Sequence, residues 1–397
     1  MTTTDTLTRD TDVLIVGAGP TGLALATSLA QAGIACVIVD KLAAGLNTSR
    51  AAVIHAHTLE VLEQIGVAGK LVEAGLKLAR FSVRDRDRLL LPLRFDRLPS
   101  RFPELLMLPQ ERTEGILSKA FEDAGGTVRR GHEVVDLAVG QDGVLATIMA
   151  SGERYALRAR HVVGADGMHS LVRRIAGIEF EGGGYEESFI LADVEMDWPQ
   201  GRGEVSLFFS PEGVLVIAPL PDDRYRIVAT LAGAPRDPDI ALVQALLDAR
   251  GPTRAQSSVT SVLWASRFKL HHRLARHYRH GRLLLVGDAA HVHSPAGGQG
   301  MNTGLVDAVV LGRMLAEVVS GRRPDGYLDE YETLRRPAAE QVLHLAGRLT
   351  SMAVMKRAPQ RFVRNLLLRT LGLLPAFRRK LEMNLSGLSR RRAADPA

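Results

Sequence analysis

Gly17-Ala18-Gly19-Pro20-Thr21-Gly22 constrains the fold more than any other stretch of this chain. The G-x-G-x-x-G spacing is weak by itself, and its setting gives it force. Val13-Leu14-Ile15-Val16 before it is a short apolar strand pattern. Leu23 to Ala32 after it is free of proline and rich in helix formers. Ala35-Cys36-Val37-Ile38-Val39 is a second buried-strand pattern and ends in Asp40. Together these make a β-α-β unit with an acid about 20 residues past the glycines. Gly17 permits the turn from strand to helix, Gly19 lets backbone approach a pyrophosphate, and Gly22 lets the helix pack on the strand. The helix N-terminus offers unpaired N–H groups and a positive dipole end. Asp40 is placed to accept hydrogen bonds from ribose hydroxyls. A turn that binds nothing explains the glycines but not the whole unit.

The bulk numbers set limits. A chain of 397 residues holds two or three domains, or one large α/β body with an inserted sheet. A hydrophobic content of 46% and a charged content of 24% describe an ordinary globular protein. The single cysteine excludes an intrachain disulfide, and Cys36 reads as a small buried hydrophobe. A reducing, cytoplasmic setting fits. Residues 1–12 are polar and lack an apolar core, so no secretory signal is expected. The net charge of +6 gathers toward the end of the chain. With 5% aromatics and no nucleic-acid motif, a solvated basic face is expected rather than a nucleic-acid partner.

Along the chain, Ala51 to Gln64 reads as a helix, Phe81 to Phe95 as strand, and Thr113 to Ala124 as an amphipathic helix. Thr127 to Val135, Val144 to Met149 and Ala156 to Val163 read as a smaller antiparallel layer. Ser188 to Val194, Val205 to Phe209, Val214 to Ala218, Tyr225 to Leu231 and Val259 to Phe268 read as a second, mostly antiparallel sheet. Ser210-Pro211-Glu212-Gly213 makes a hairpin turn in it, and Ile240 to Ala249 interrupts it as a helix. Leu283 to Val286 is again buried strand, Thr303 to Val319 is helix, and the tail from Pro337 is helical and basic.

Two further motifs make the reading specific. One is Gly164-Ala165-Asp166-Gly167-Met168-His169-Ser170, with Val172-Arg173 just after. The other is Gly287-Asp288-Ala289-Ala290-His291, continuing through Pro295, Gly297-Gly298-Gln299-Gly300 and Met301-Asn302. With the first glycine loop and Asp40, they resemble the signature set of the FAD-dependent aromatic hydroxylases. These are single-component flavoprotein monooxygenases with the para-hydroxybenzoate hydroxylase fold. The resemblance runs from about Asp12 to Pro337.

It implies an α/β fold: an FAD-binding, doubly wound Rossmann-like domain, an inserted, mostly antiparallel substrate domain and a helical C-terminus. The FAD-binding domain takes residues 1–80, 106–184 and 271–340. The substrate domain takes 81–105 and 185–270, and 341–397 is the helical segment. The implied FAD-binding set is Gly17, Gly19, Pro20, Thr21, Gly22, Asp40, Lys41, Arg50, Gln110, Asp166, Gly167, Gly287, Asp288, Pro295, Gly298, Gly300, Met301 and Asn302. Asp288 would meet the ribityl hydroxyls, and the Pro295–Asn302 loop would lie against the flat ring. The helix from Thr303 would direct its positive end there and favour an anionic reduced flavin. Arg50, in Ser49-Arg50-Ala51, is implied to touch FAD phosphates near the hydride donor's approach, and Asp166-Gly167 to serve FAD and NAD(P)H. Arg50 and Pro295 are the residues implied in catalysis.

The implied reaction uses NADH or NADPH to reduce FAD. A flavin C4a-hydroperoxide then hydroxylates an aromatic substrate of phenolic, quinone or polyketide type. The substrate would lie between the second sheet and the ring, near Pro295. About 60 residues follow Pro337, fewer than the thioredoxin-like domain of longer relatives needs. The same architecture also serves reductases of isoprenoid double bonds and halogenases. Halogenases carry a W-x-W-x-I-P motif, whereas Trp198 and Trp264 stand far apart here. No metal is expected, because no carboxylate or cysteine set completes the His271, His272, His277, His280 group or the His291, His293 pair. A homodimer is an open expectation. Apolar residues from Phe362 to Leu381, interleaved with arginines, match a helix on a membrane surface. The preferred reading packs them on the FAD-binding domain or a second subunit, since Pro375 interrupts the stretch and apolar residues occupy most turn faces.

Overall fold

The computed structural model describes residues 9–45, 51–231, 233–235, 237–254, 256–353, 355 and 357–395. The chain opens with β1 (Arg9–Val16), α1 (Pro20–Gln31) and β2 (Cys36–Asp40). Next come β3 (Val53–Ile54), α2 (Ala56–Glu63), α3 (Ala68–Ala74) and β4 (Leu76–Leu78). The hairpin β5 (Arg80–Asp85) and β6 (Arg88–Arg94) precedes β7 (Leu105–Met107) and α4 (Gln110–Asp123). Then follow β8 (Val128–Arg130), β9 (His132–Val139), β10 (Val144–Ala150), β11 (Glu153–Gly164) and the short α5 (Leu171–Ile175). The middle holds β12 (Phe180–Asp197), β13 (Glu204–Ser210), β14 (Gly213–Pro219), β15 (Tyr225–Thr230), α6 (Ile240–Arg250) and β16 (Ser258–Ala275). Last come β17 (Arg279–His280), β18 (Leu283–Leu285), β19 (His291–Val292), α7 (Gly300–Val319), α8 (Asp329–Ala353), α9 (Ala358–Leu371) and α10 (Pro375–Leu385).

The first sheet runs β17-β18-β11-β1-β2-β8, with β10 and β9 added beside β11. β1 pairs in parallel with β2 and β11, and β11 in parallel with β18. Val13, Leu14 and Ile15 are all fully buried, the continuous apolar run of a parallel strand covered on both faces. The helices α1, α4 and α7 pack together on this sheet. Close approach of α1 and α7 depends on small residues. A Cβ at Gly312 would lie 2.7 Å from the Ser28 Cβ, and one at Gly304 would lie 2.5 Å from the Thr21 hydroxyl oxygen.

One expectation is corrected here. β11 does not belong to a separate antiparallel layer; it is a central strand of the first sheet. Its N-terminal part pairs antiparallel with β10, from Glu153 to Ala159. Its other edge runs parallel to β1 from Arg9↔Leu157 to Val16↔Gly164. A smaller correction follows from pairing. Val53-Ile54 is strand, held against Met107 and Leu106, so the helix read from Ala51 begins at Ala56.

The second sheet runs β19-β16-β12-β15-β14-β13-β5-β6. Its side chains alternate between two environments. Phe208, Leu215 and Ile227 face a core closed by α6. Leu207, Phe209, Val214, Val216 and Val228 face a cavity between the two sheets. The C-terminal helices close that cavity, and here the tail departs from the preferred reading. α9 packs on β6 of the second sheet, whereas α10 touches both β6 and the FAD-binding body, where Gln299 Nε2 donates to the Leu385 carbonyl at 2.8 Å. Within α9 only Arg364 and Leu368 are buried.

Candidate functional site

The glycine loop forms one end of the cavity. Gly17 has φ +106°, and a Cβ there would overlap the Ala165 carbonyl. A Cβ at Gly22 would overlap the Gly17 carbonyl, so Gly22 sets the packing of α1 on the loop. At Gly19 a Cβ would meet nothing within 4 Å, because that side opens on the cavity. Gly19 is the N-cap of α1, has no capping side chain, and precedes Pro20 at the first helical position. No acid stands in the first turn, so the positive end of α1 faces the cavity unopposed. Proline there is preset for the helix and costs no hydrogen bond. These are the properties of an anion cradle.

Asp40 stands at the end of β2 and lines the cavity. Its Oδ2 accepts the Ala18 N–H at 2.8 Å and its Oδ1 accepts the Leu42 N–H at 2.9 Å. Each carboxylate oxygen keeps a second lone pair for a ligand. Lys41 lines the same wall. Gln110 opens α4; its Oε1 accepts the Ala51 N–H at 3.3 Å and its Nε2 donates to Glu114 at 2.8 Å. Burial pushes the Glu114 carboxyl up.

The loop after β11 faces the glycine loop. Asp166 Oδ2 accepts the amides of Leu171 (2.7 Å) and Val172 (3.3 Å) at the start of α5. Its Oδ1 is buried without a partner among the described residues, and burial pushes the carboxyl up. Arg173 ties this loop to the next motif, donating to the carbonyls of Ala289 (2.8 Å) and Met168 (2.7 Å). Its guanidinium lies 3.8 Å over the Phe180 ring.

The third motif is built around a buried charge cluster. Asp307 of α7 accepts from Arg335 Nε at 2.7 Å and His291 Nε2 at 2.5 Å, and from the Gly287 amide at 3.4 Å. Burial alone would raise the Asp307 carboxyl, but Arg335 and His291 outweigh it and hold it below the usual range. The cluster fixes the Gly287-Asp288 turn, which presents Asp288 to the cavity. Downstream, Gly297 (φ +87°) and Gly298 (φ +63°) turn the chain along the cavity wall. His55 Nε2 lies 2.9 Å from the Gly297 carbonyl and 3.0 Å from Gln299 Nε2, which binds this loop to the start of α2. Burial drives His55 and His293 down to about 4. The Nδ1 of His293 lies 2.8 Å from the Ser294 carbonyl, so Nδ1 carries the proton. Its Nε2 is a buried acceptor without a partner among the described residues, on the cavity wall.

The cavity measures about 1930 Å³, well above the roughly 300–1,000 Å³ of a pocket for one small ligand. The far half is apolar: Phe189, Leu191 and Leu207 from the second sheet, and Leu349, Leu368 and Phe377 from the C-terminal helices. Arg226 lines it, held by Asp193 through two 2.7 Å bonds and donating to the Ala51 carbonyl at 2.9 Å.

Most residues read from the sequence meet at this cavity. Gly17, Gly19, Pro20, Thr21, Asp40, Lys41, Gln110, Asp166, Gly167, Asp288, Pro295, Gly298, Gly300 and Met301 all line it. Gly22, Gly287 and Asn302 stand behind the wall. Asn302 spends its side chain inside the protein, donating to the carbonyls of Val53 and Gly298 and accepting the His55 amide, each at 2.8 Å. Ser49 and Arg50 lie outside the described residues. His293, Arg226, Lys269 and His271 also line the cavity and were not read as site residues. His293 carried a signal, since it stands between two motif segments. Arg226 and Lys269 sit in strands that carry no motif.

The sequence profile of a family described as "FAD binding domain" matches residues 10–346. Pentachlorophenol 4-monooxygenase from Sphingobium chlorophenolicum is 34% identical over 84% of this chain. 6-methylpretetramide 4-monooxygenase from Streptomyces rimosus is 37% identical over 87% of it. The chain belongs to the family of FAD-dependent aromatic monooxygenases. Against these two members of the family it spans 63% of their length. Among solved members, the anhydrotetracycline hydroxylase from Streptomyces rimosus superposes with a TM-score of 0.81 at 33% identity, covering 96% of this chain and 76% of that one. The p-nitrophenol 4-monooxygenase from Pseudomonas putida shares the fold, with a TM-score of 0.88 at 22% identity, over 96% of this chain and 98% of that one.

Proposed function

We propose that the protein takes electrons from NADH or NADPH and oxygen from O₂ to hydroxylate an aromatic molecule of phenolic, quinone or polyketide type, with FAD as its cofactor. The observation that carries this reading is the continuity of one cavity. Its polar half has the helix end, carboxylates and glycine turns that a dinucleotide needs, and its apolar half has room for a second molecule. The donors fit FAD. The α1 N-terminus suits the diphosphate, Asp40 the ribose, Asp288 the ribityl chain, and the 297–301 loop the ring. When bound, FAD supplies acceptance of hydride and activation of dioxygen.

The chain's own residues do the rest. The N-terminus of α7 offers its positive end to charge developing beside Gly300. His293 Nε2 accepts a hydrogen bond from a group in the cavity. The apolar wall excludes water and fixes the ring of the substrate. Arg50 supports the approach of the nicotinamide donor.

The purified protein should be yellow and release FAD on acid precipitation. Members of a panel of phenols, quinones and polyketides should stimulate NAD(P)H oxidation and gain one oxygen. Gly19→Val should keep the fold and lose the flavin, because the new side chain points into the cradle. Arg50→Ala should slow flavin reduction in stopped flow. A colourless protein that takes up no added FAD would overturn the proposal.

A further inference from the structure

Twelve large apolar side chains are exposed among the described residues, and seven of them fall between Phe362 and Leu374. Phe362 is 69% exposed, Leu366 50% and Leu373 75%. The helix that carries them is anchored from its other side. Leu368 is buried beside β6, and the Arg364 guanidinium lies 3.9 Å over the Phe209 ring and donates to the Met352 carbonyl at 2.8 Å. The outward face is therefore held in place yet left uncovered by the described residues. Val363, Leu367 and Leu371 are both exposed and part of the cavity wall. The apolar surface outside runs directly into the apolar half of the cavity.

The charge of this segment has one sign. Residues 341–381 contain nine Lys and Arg and no Asp or Glu. Those nine exceed the +6 of the whole chain, so the positive balance is concentrated here. Arg369, Arg379 and Lys380 are exposed beside the apolar face. An apolar ridge flanked by cations is the pattern of a helix lying in the headgroup layer of an anionic bilayer. No helix among the described residues is long and apolar enough to cross a membrane, so contact would stay at the surface. A second copy of the chain would oppose the same cations to one another, which disfavours a symmetric interface.

We propose that α9 and the turn into α10 dock the protein on an anionic lipid surface and turn the cavity toward the lipid, so that the substrate is a lipophilic molecule taken from the bilayer. Docking stands on the surface alone; the substrate half rests on the hydroxylase reading.

The test is co-sedimentation of the FAD-loaded full chain with vesicles of phosphatidylcholine, alone or with roughly one third phosphatidylglycerol. Binding to the anionic vesicles at low salt is expected, at least about tenfold weaker on neutral vesicles or at about 0.5 M salt. The double substitution Phe362→Asp, Leu366→Asp changes two exposed residues that do not line the cavity. It should keep flavin content and melting temperature and lower vesicle binding at least tenfold. Absent binding of the native chain, or equal binding by the double variant, overturns docking. A dimer that the double variant dissolves, with no vesicle binding, assigns the face to a second copy and also overturns it. Vesicle binding without substrate-stimulated NAD(P)H oxidation leaves docking intact and refutes the hydroxylase reading.

Discussion

Two histidines give the site a pH limit. His55 and His293 are neutral in the fold and driven to about 4 by burial, whereas an unfolded chain takes up these protons near pH 6.5. Above that value neither histidine contributes to the pH dependence. As pH falls from about 6.5 toward 4, the unfolded state gains protons that the folded state refuses, and stability drops by roughly 3 kcal/mol per histidine. Asp166 and Glu114, raised by burial, act oppositely, gaining stability as pH falls through their raised values toward the ordinary carboxylate range. The holo-protein should therefore melt progressively lower between pH 7 and 5, and His55→Gln should flatten that slope. A melting temperature that rises on acidification refutes this account. Residues like these mark the limit of sequence reading. The glycines and Asp40 were legible because each meets a demand set by its immediate neighbours. The bonds of the Asn302 side chain were not, because its partners Val53 and His55 lie about 250 positions away.

At the scale of elements, the joint between α7 and α8 holds the third motif in shape. Asp307→Asn would leave Arg335 buried, positive and without its counter-ion. A loss of about 3–5 kcal/mol is expected in urea unfolding. Adding Arg335→Met should recover much of it, because removing both charges costs less than removing one. Additive losses would mean that the two residues do not act as a pair. The carboxyl of Asp307 is held below its ordinary value, so its contribution persists above the unfolded carboxylate range and is lost only as pH falls through the depressed value. Elements were legible where their periodicity is clean, as in β1, α1 and the β13–β14 hairpin. β11 misled because one strand serves three partners. Its outer part, with Glu153, Arg154 and Arg158, alternates like an antiparallel edge, while Val162 and Val163 are buried on both sides. α9 misled differently: its apolar residues crowd every turn as in a buried helix, and only the packing shows that most of them face outward.

On the scale of the whole molecule, the cavity draws its walls from Val16 near one end of the chain and Leu385 near the other. The two sheets were legible as two kinds of text, one of continuous apolar runs and one of alternation. Their facing arrangement was not, because it depends on contacts between distant segments. The strand order has a kinetic consequence. β1 finds β2 within 30 residues, but its other neighbour, β11, comes only after residue 150, and β18 comes after residue 280. Such non-local pairing is slow. During synthesis, the edge of β11 at Val162–Gly164 stays open until Leu283–Leu285 has emerged, a short unpaired edge that invites association with other chains. Diluted from denaturant, the chain should recover its circular dichroism well before it quenches added flavin, with a yield that falls as protein concentration rises. Simultaneous recovery of both signals would show that the sheet closes in a single step. Flavin capture is then the last event in the life of a nascent molecule, because the cavity that receives the cofactor has both of its ends only when nearly the whole chain is in place.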